Sequence, residues 1–341
     1  MRIAVLGGGR SSEHDVSLAS AASVAHAIDH GRYEVLEVPI GRDGAWSFDG
    51  QPVALVPAAG DQAWLMPLAG GGAPREIDLV FPVLHGPWGE DGTVQGLLET
   101  VGVPYVGADV AASAIGMDKA MFHVVATAAG IPRLETLILT HREWLDDAAE
   151  VRDRVAREIG YPAFAKPARL GSSFGISPVP DEDALGPALQ LAFAHDGKVL
   201  VERRAMGREV EVGLLGGDDP HASPLGEIIH ENDWYDHDAK YREGGMRLEV
   251  PADVPAHVQH HARALAVRSW DAIGCSGLAR VDFFLEGDDL YVSEINTIPG
   301  FTSTSVWGRL MADDGFGYPE LVQRLIDLAL ERHDSRRAYR G

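Results

Sequence analysis

Short apolar runs alternate with helical stretches through the first third of the chain. Ile3-Ala4-Val5-Leu6 reads as a buried strand and ends in Gly7-Gly8-Gly9. Ser11, Ser12, Glu13 and Asp15, residue types that favour helix starts, precede an Ala-rich stretch that predicts a helix over 16–28. Strands are predicted over 33–40 and 78–84, a helix over 94–101 and a short strand over 104–107. This βαβ rhythm predicts an open parallel sheet for about the first 110 residues. Ligands bind at the carboxyl ends of such strands, where 7–13 and His85 fall.

The pattern then changes. Helices are predicted over 118–129, closed by Gly130, and over 149–159, closed by Gly160. A strand over 163–166 runs into a Gly/Ser loop. Strands over 198–203, 209–215 and 225–230 are too closely spaced for βαβ units, so the middle and rear read as α+β with antiparallel sheet. Residues 232–245 hold almost no aliphatic side chain and read as a long polar loop or lid. A helix over 255–273 ends at Gly274. Strands follow over 278–285 and 290–296, then a last helix over 319–333 and a basic tail, 336–340, expected to fray.

Composition narrows the class. A length of 341 residues corresponds to about two domains. The net charge of −22 disfavours sequence-independent binding to nucleic acid or anionic lipid. A single cysteine, Cys275, excludes an intrachain disulfide and a multi-cysteine metal site. No apolar run approaches the roughly 20 residues that span a bilayer, and the first residues do not form a signal peptide, so a soluble, cytoplasmic protein is expected. Of the 29 basic residues, 25 are Arg and only four are Lys: Lys119, Lys166, Lys198 and Lys240. Lysine is a compact point charge on a flexible stem, so these four positions stand out.

Four segments carry candidate chemistry. Gly7–Glu13 lacks the third glycine of a dinucleotide fingerprint, having Ser12 there, and no acid closes the second strand. A glycine turn before a helix, or a small-molecule site in which Glu13 faces an ammonium group, are the other readings. In 164–175, Lys166 ends a strand, and Gly171 with Ser172 and Ser173 offers backbone N–H groups to one anion, although no Walker A motif is present. A surface hairpin would look the same. Arg280 and Asp282 share one strand face, and Glu294 and Asn296 share another. A three-residue loop at 287–289 would pair Phe284 with Val292, Asp282 with Glu294, and Arg280 with Asn296. Facing carboxylates repel unless a cation lies between them, and hard oxygen donors suit Mg2+ or Mn2+. Metal, lysine and glycine clamp together point to a nucleoside triphosphate. Finally, 297–305 is a Gly- and hydroxyl-rich loop able to hold an oxyanion or carboxylate, or else a plain loop.

In combination these segments resemble the ATP-grasp superfamily and, within it, the D-alanine–D-alanine ligase family. The resemblance spans nearly the whole chain. It rests on 7–17, His85-Gly86 with 89–92, Met117-Asp118-Lys119, Lys166-Pro167 with Gly171-Ser172-Ser173, Ala239-Lys240-Tyr241, Arg280-Val281-Asp282, and Glu294-Ile295-Asn296-Thr297 through Pro299-Gly300. It implies an ATP-grasp fold with an N-terminal Rossmann-like domain (1–112), a central subdomain (113–203) and a C-terminal subdomain (204–341) with a lid near 231–246. The implied reaction is ATP-dependent joining of two D-alanines through an acyl phosphate, for peptidoglycan precursor synthesis. Implied partners are ATP, two D-alanine molecules, two Mg2+ or Mn2+ ions and a second copy of the chain.

The resemblance also implies roles. Lys119 and Lys166 would hold the α/β phosphates, Lys240 the γ-phosphate, and Gly171, Ser172 and Ser173 the transferring group. Asp282, Glu294 and Asn296 would carry the metal ions. Glu13 would meet the first ammonium group in a set with Ser172 and Tyr241, with His85 close by. Arg280 and the Gly300 N–H would stabilise the oxyanion, and Ser305 would bind the second carboxylate. Glu202 and Glu209 match positions that meet adenine and ribose. The sequence departs from the family where Arg203-Arg204-Ala205 follow Glu202 in place of an aromatic or larger aliphatic residue. Tyr241 goes with D-alanine as second substrate, whereas D-lactate-using relatives carry His there. Other readings are a different ATP-grasp carboxylate–amine or D-Ala–D-Lac type ligase, a nucleotide-binding regulator without turnover, or a nicotinamide oxidoreductase.

Overall fold

The computed structural model describes residues 1–338 apart from 59, 61, 71, 172, 173 and 231–245. The first apolar runs form a parallel sheet. Strands β1 (Arg2–Gly8) and β2 (Glu34–Ile40) are neighbours. The chain then makes an antiparallel sheet of β3 (Ser47–Phe48), β4 (Gln51–Pro57), β5 (Ala63–Pro67) and β6 (Arg75–Ile77). It returns with β7 (Leu79–Pro82) on the other side of β1. The helix His14–Ala27 buries Ser17, Ser20, Ala21, Val24 and Ala25, small side chains that let it approach β1 closely.

No element was predicted between 41 and 77, yet four short strands form there. Val53, Ala63, Leu65 and Ile77 bury themselves against Leu36, Val38, Val80 and Leu98. Proline near both ends of β4 and at the end of β5, and the lack of polar alternation, concealed them.

The middle of the chain is an antiparallel sheet, as predicted. It is built from β8 (Thr136–Thr140), β9 (Ala163–Pro167), β10 (Ser177–Val179) and β11 (Lys198–Arg203), in the order β10-β9-β11-β8. One face packs on the helices Ala148–Glu158 and Glu182–Phe193 through Leu139, Val151, Val155, Leu189 and Val201. Lys166 and Leu200 are paired across β9 and β11, with Glu202 two residues further on. Those residues lie on the opposite face by strand alternation.

The rear sheet comprises β12 (Arg208–Gly216), β13 (His221–Ala222), β14 (Gly226–His230), β15 (Met246–Glu249), β16 (Gly277–Glu286) and β17 (Asp289–Asn296). Its order is β15-β14-β12-β16-β17, with β13 beside β12. The helix Ala256–Ile273 covers it through Val258, Leu265 and Trp270.

The last helix, Tyr318–Ala338, packs its Leu321, Val322, Leu325 and Ile326 on the N-terminal layer beside Ile3, Val5 and Phe81. It continues to Ala338, into the segment expected to fray, where the Arg336 guanidinium pairs with Glu99 and with Asp109; 339–340 lie outside the described residues. Cys275 is buried, as expected. Among the described residues no helix is long and apolar enough to cross a membrane.

Candidate active site

The rear hairpin carries the densest charge. Arg280 stands opposite Asn296 and Asp282 opposite Glu294, the predicted register. The turn end differs: Phe283, not Phe284, pairs with Val292, and Phe284 pairs with Tyr291. A bulge after Asp282 absorbs one residue, so the pairs continue to Glu286 and Asp289 around a two-residue turn instead of three.

Counter-charges resolve the facing carboxylates. Arg280 donates to both Asp282 oxygens at 2.7 Å, and its Nε lies 3.0 Å from Glu211 Oε2. Burial alone would weaken that guanidinium's charge, but Asp282 and Glu211 reverse this and hold it protonated. Asn296 Nδ2 donates to Asp282 Oδ2 at 3.1 Å. Lys119 Nζ sits 2.9 Å from Glu294 Oε2; burial opposes its charge, and Glu294 outweighs burial, raising its pKa.

Asp282, Glu294 and Asn296 thus present only hard oxygens from one strand pair, a donor set that fits Mg2+ or Mn2+. Among the described residues no group of three or more His, Cys, Asp or Glu is gathered for a metal. The set here is two carboxylates and one amide.

Lys119 also joins this hairpin to the glycine loop. Its Nζ donates to the Leu170 carbonyl, and its backbone N–H to the Ala168 carbonyl, each at 2.9 Å. Asp118, the residue before it, caps the helix Lys119–Ala128 by accepting from Ala120 and Met121 N–H groups. Lys198, the lysine left without a role, donates to Asp118 Oδ2 at 2.6 Å. Lys166 pairs with the buried Glu202 and lies 5.7 Å from the Phe284 ring centroid, across from the rear sheet. Glu209 is half-buried on β12 opposite Phe284. In the segment where the family's larger residue is missing, Arg203 folds back onto Glu135 and Glu286, over Tyr291.

A second cluster surrounds Glu13, the residue before the first helix. Gly86 adopts a left-handed φ of +76°, and a Cβ there would lie 3.0 Å from Glu13 Oε2. A Cβ on Gly171 would lie 3.1 Å from the same atom. The carboxylate therefore fits between two glycines, one from the parallel sheet and one from the glycine loop.

His85 is buried. Its Nδ1 meets the Ile298 carbonyl at 3.0 Å and its Nε2 meets Ser20 Oγ at 3.1 Å. A carbonyl only accepts, so Nδ1 carries the hydrogen. Burial lowers the pKa and keeps the ring neutral, although Glu13 pulls the other way. The same residue is held at its other backbone group: Ile298 N–H donates to Glu90 Oε2 at 3.3 Å, while Gly86 N–H donates to Glu90 Oε1 at 2.7 Å. Burial, with Glu13 next, pushes Glu90 up to about 8. Beyond Ile298, Gly300 and Ser305 face each other, a Cβ on Gly300 lying 3.5 Å from that of Ser305. Ser305 Oγ donates to the Thr302 carbonyl at 2.8 Å.

Family models for the D-ala D-ala ligase N-terminus and C-terminus match residues 2–108 and 125–327. The chain belongs to the D-ala D-ala ligase family. A D-alanine–D-alanine ligase of Deinococcus radiodurans is 46% identical, with 97% of this chain and 98% of the relative covered. One of Geobacillus kaustophilus is 42% identical, with 98% and 96% covered. Among solved structures, the D-alanine–D-alanine ligase of Coxiella burnetii superposes with a TM-score of 0.88 at 31% identity, covering 99% of this chain and 96% of that one. A D-Ala:D-Ser ligase of Enterococcus faecalis superposes at 0.86 and 33% identity, covering 96% and 99%. The expected fold, α/β and α+β of the ATP-grasp type, is the fold of this D-ala D-ala ligase family member.

In this family member, Glu13, His85 and Gly171 come together at one end, and Lys119, Arg280, Asp282, Glu294 and Asn296 at the other. Glu90 lies between them, feeling both Glu13 and Glu294 electrostatically. Ser172, Ser173, Lys240, Tyr241 and nearly all of the expected lid lie outside the described residues. Sequence reasoning missed Glu211 and gave Glu90 no role. Glu211 was signalled by its place on β12, two residues after Glu209 and directly opposite Asp282. Arg133 was also missed. It stacks 4.9 Å from the Phe122 ring centroid, and burial pushes its pKa down to about 10 despite Glu202 and Glu294.

Proposed function

We propose that the chain is an ATP-dependent ligase that joins two D-alanines into D-alanyl-D-alanine in the cytoplasm, for peptidoglycan precursor synthesis. The observation that carries this reading is the Glu13 carboxylate lodged between Gly86 and Gly171. It sets an anionic partner for an ammonium group directly against a loop suited to phosphate.

The γ-phosphoryl group of ATP passes to the carboxylate of the first D-alanine, giving an acyl phosphate and ADP. The unprotonated amine of the second D-alanine attacks the acyl carbon, and the tetrahedral adduct expels phosphate. Such transfers depend on positioning and charge neutralisation. Lys119 and Lys166 hold the α/β phosphates, Lys240 the γ-phosphate, and Gly171, Ser172 and Ser173 cradle the moving group. Glu13, with Ser172, Tyr241 and neutral His85, orients the first amino acid. Arg280, kept charged by Asp282 and Glu211, and the Gly300 N–H stabilise the oxyanion. Ser305 takes the second carboxylate, while Glu202 and Glu209 serve adenine and ribose. Asp282, Glu294 and Asn296 hold the two Mg2+ or Mn2+ ions, which neutralise charge on the triphosphate when bound.

The catalytic unit divides at about residues 112 and 203 into the three parts read from the sequence, and two copies associate. A second reading replaces the second D-alanine by another nucleophile such as D-serine; it is favoured by the similarity to the Enterococcus D-Ala:D-Ser ligase. The test is ADP release on adding D-alanine, D-serine, D-lactate or L-alanine separately to ATP and Mg2+, with mass detection of the product. D-alanine-dependent ADP release with the dipeptide mass is expected. Release without D-alanine, or none, refutes the proposal.

A further inference from the structure

The His195–Lys198 turn stands outside every role described above, yet it carries both ends of the glycine loop. At the near end, Asp196 accepts four hydrogen bonds. These come from Arg169 N–H (3.0 Å), Arg169 Nε (3.0 Å), Arg169 Nη2 (2.7 Å) and Lys198 N–H (3.1 Å). Its side chain is 3% exposed, while that of Arg169 is 58% exposed. At the far end, the Phe174 ring meets His195 edge-on at 5.9 Å, and a Cβ on Gly175 would lie 2.9 Å from the His195 ring. The turn also reaches the partner lysine of the loop, through Lys198 Nζ on Asp118 at the start of the Lys119 helix.

An ion pair with one member in solvent contributes about 0–1 kcal/mol to stability. A buried carboxylate that spends three of its four bonds on one loop residue fixes geometry instead. We propose that Asp196 is a positioning residue for nucleotide phosphate: acting through Arg169, it sets where the neighbouring Leu170 carbonyl, and with it the Lys119 ammonium that bonds to it, stands. This rests on the phosphate-loop reading given under the proposed function. It makes Asp196 act on ATP and leave the amino-acid subsites alone.

The variants are Asp196→Asn, and Arg169→Gln as a solvent-facing change that leaves the backbone bonds to Asp196 in place. Full-length proteins are assayed for ADP release, with ATP and D-alanine varied in turn, and ATP–Mg2+ affinity is read by calorimetry. For Asp196→Asn, KM for ATP should rise about tenfold, the loss of about 1.4 kcal/mol of binding, with KM for D-alanine near the parent value. Arg169→Gln should shift in the same direction but less. The proposal is overturned if KM for ATP holds in both variants. It is also overturned if the two KM values rise in parallel alongside a lowered ligand-free Tm, the signature of general damage. A parent enzyme that released no ADP would refute the ligase reading instead, and the calorimetric ranking of parent, Arg169→Gln and Asp196→Asn would still decide the role of Asp196.

Discussion

Replacing Gly171 by alanine isolates the contact on which the amino-acid site depends. Gly171 has no left-handed φ, so alanine meets no backbone penalty there. Its new Cβ would stand 3.1 Å from Glu13 Oε2, and the carboxylate must retreat by a few tenths of an ångström. A charge-assisted hydrogen bond contributes about 1.5–3 kcal/mol. Losing part of it, about 1 kcal/mol, corresponds to about a fivefold rise in KM for D-alanine. KM for ATP should stay near the parent value, because the Gly171 N–H is retained. Gly86→Ala presses the same oxygen from the other side, at 3.0 Å, but Gly86 has a φ of +76°. That variant should show the same rise in KM plus a stability loss of about 1–2 kcal/mol from the left-handed backbone. Steady-state kinetics with each substrate varied, and melting of the ligand-free proteins, separate the two effects. The reasoning fails if Gly171→Ala leaves KM for D-alanine untouched and raises KM for ATP, since Glu13 would then not be the amino acid's partner.

Three further outcomes are expected. Glu90 has its pKa raised from the ordinary carboxylate value to about 8 in the folded chain, so the folded state binds more protons and its stability should fall as pH rises from about 4.5 to 8; Glu90→Gln should flatten that slope in ligand-free melting, and an unchanged slope would discount the shift. Arg280→Lys keeps a charge but loses the two-pronged grip on Asp282, and kcat should fall by about 10²–10³, the range for removing an oxyanion donor, with KM for ATP little altered; a kcat within about twofold of the parent would remove Arg280 from the oxyanion role. A chelator should abolish ADP release yet leave Tm unchanged, because Arg280 and Lys119 already balance Asp282 and Glu294 within the chain; a large drop in Tm would show that those acids need the metal to fold.

The residues that bond through backbone register were legible in the sequence. Alternation put Arg280 with Asp282 and Glu294 with Asn296 on shared faces; their pairing across the strands was read from a three-residue loop, and it holds because the bulge after Asp282 offsets the shorter, two-residue turn. The bulge after Asp282 was not legible, because an extra residue in one strand leaves no mark on the hydrophobic pattern. Glu211 escaped for a related reason: its partner Arg280 lies 69 positions later, and only the β12–β16 pairing brings them together. The sheet within 47–77 was hidden because its two longer strands, β4 and β5, end in proline and show no polar alternation. The fraying expected at Arg336 came from reading charge locally, whereas its partners Glu99 and Asp109 stand more than two hundred positions earlier.

Ile298 is gripped at its carbonyl by His85 and at its N–H by Glu90, both from a loop over two hundred positions earlier. A break in the chain anywhere between those points leaves His85 and Glu90 on one fragment and Ile298 on the other. The grip on Ile298 would then form only where the two fragments meet.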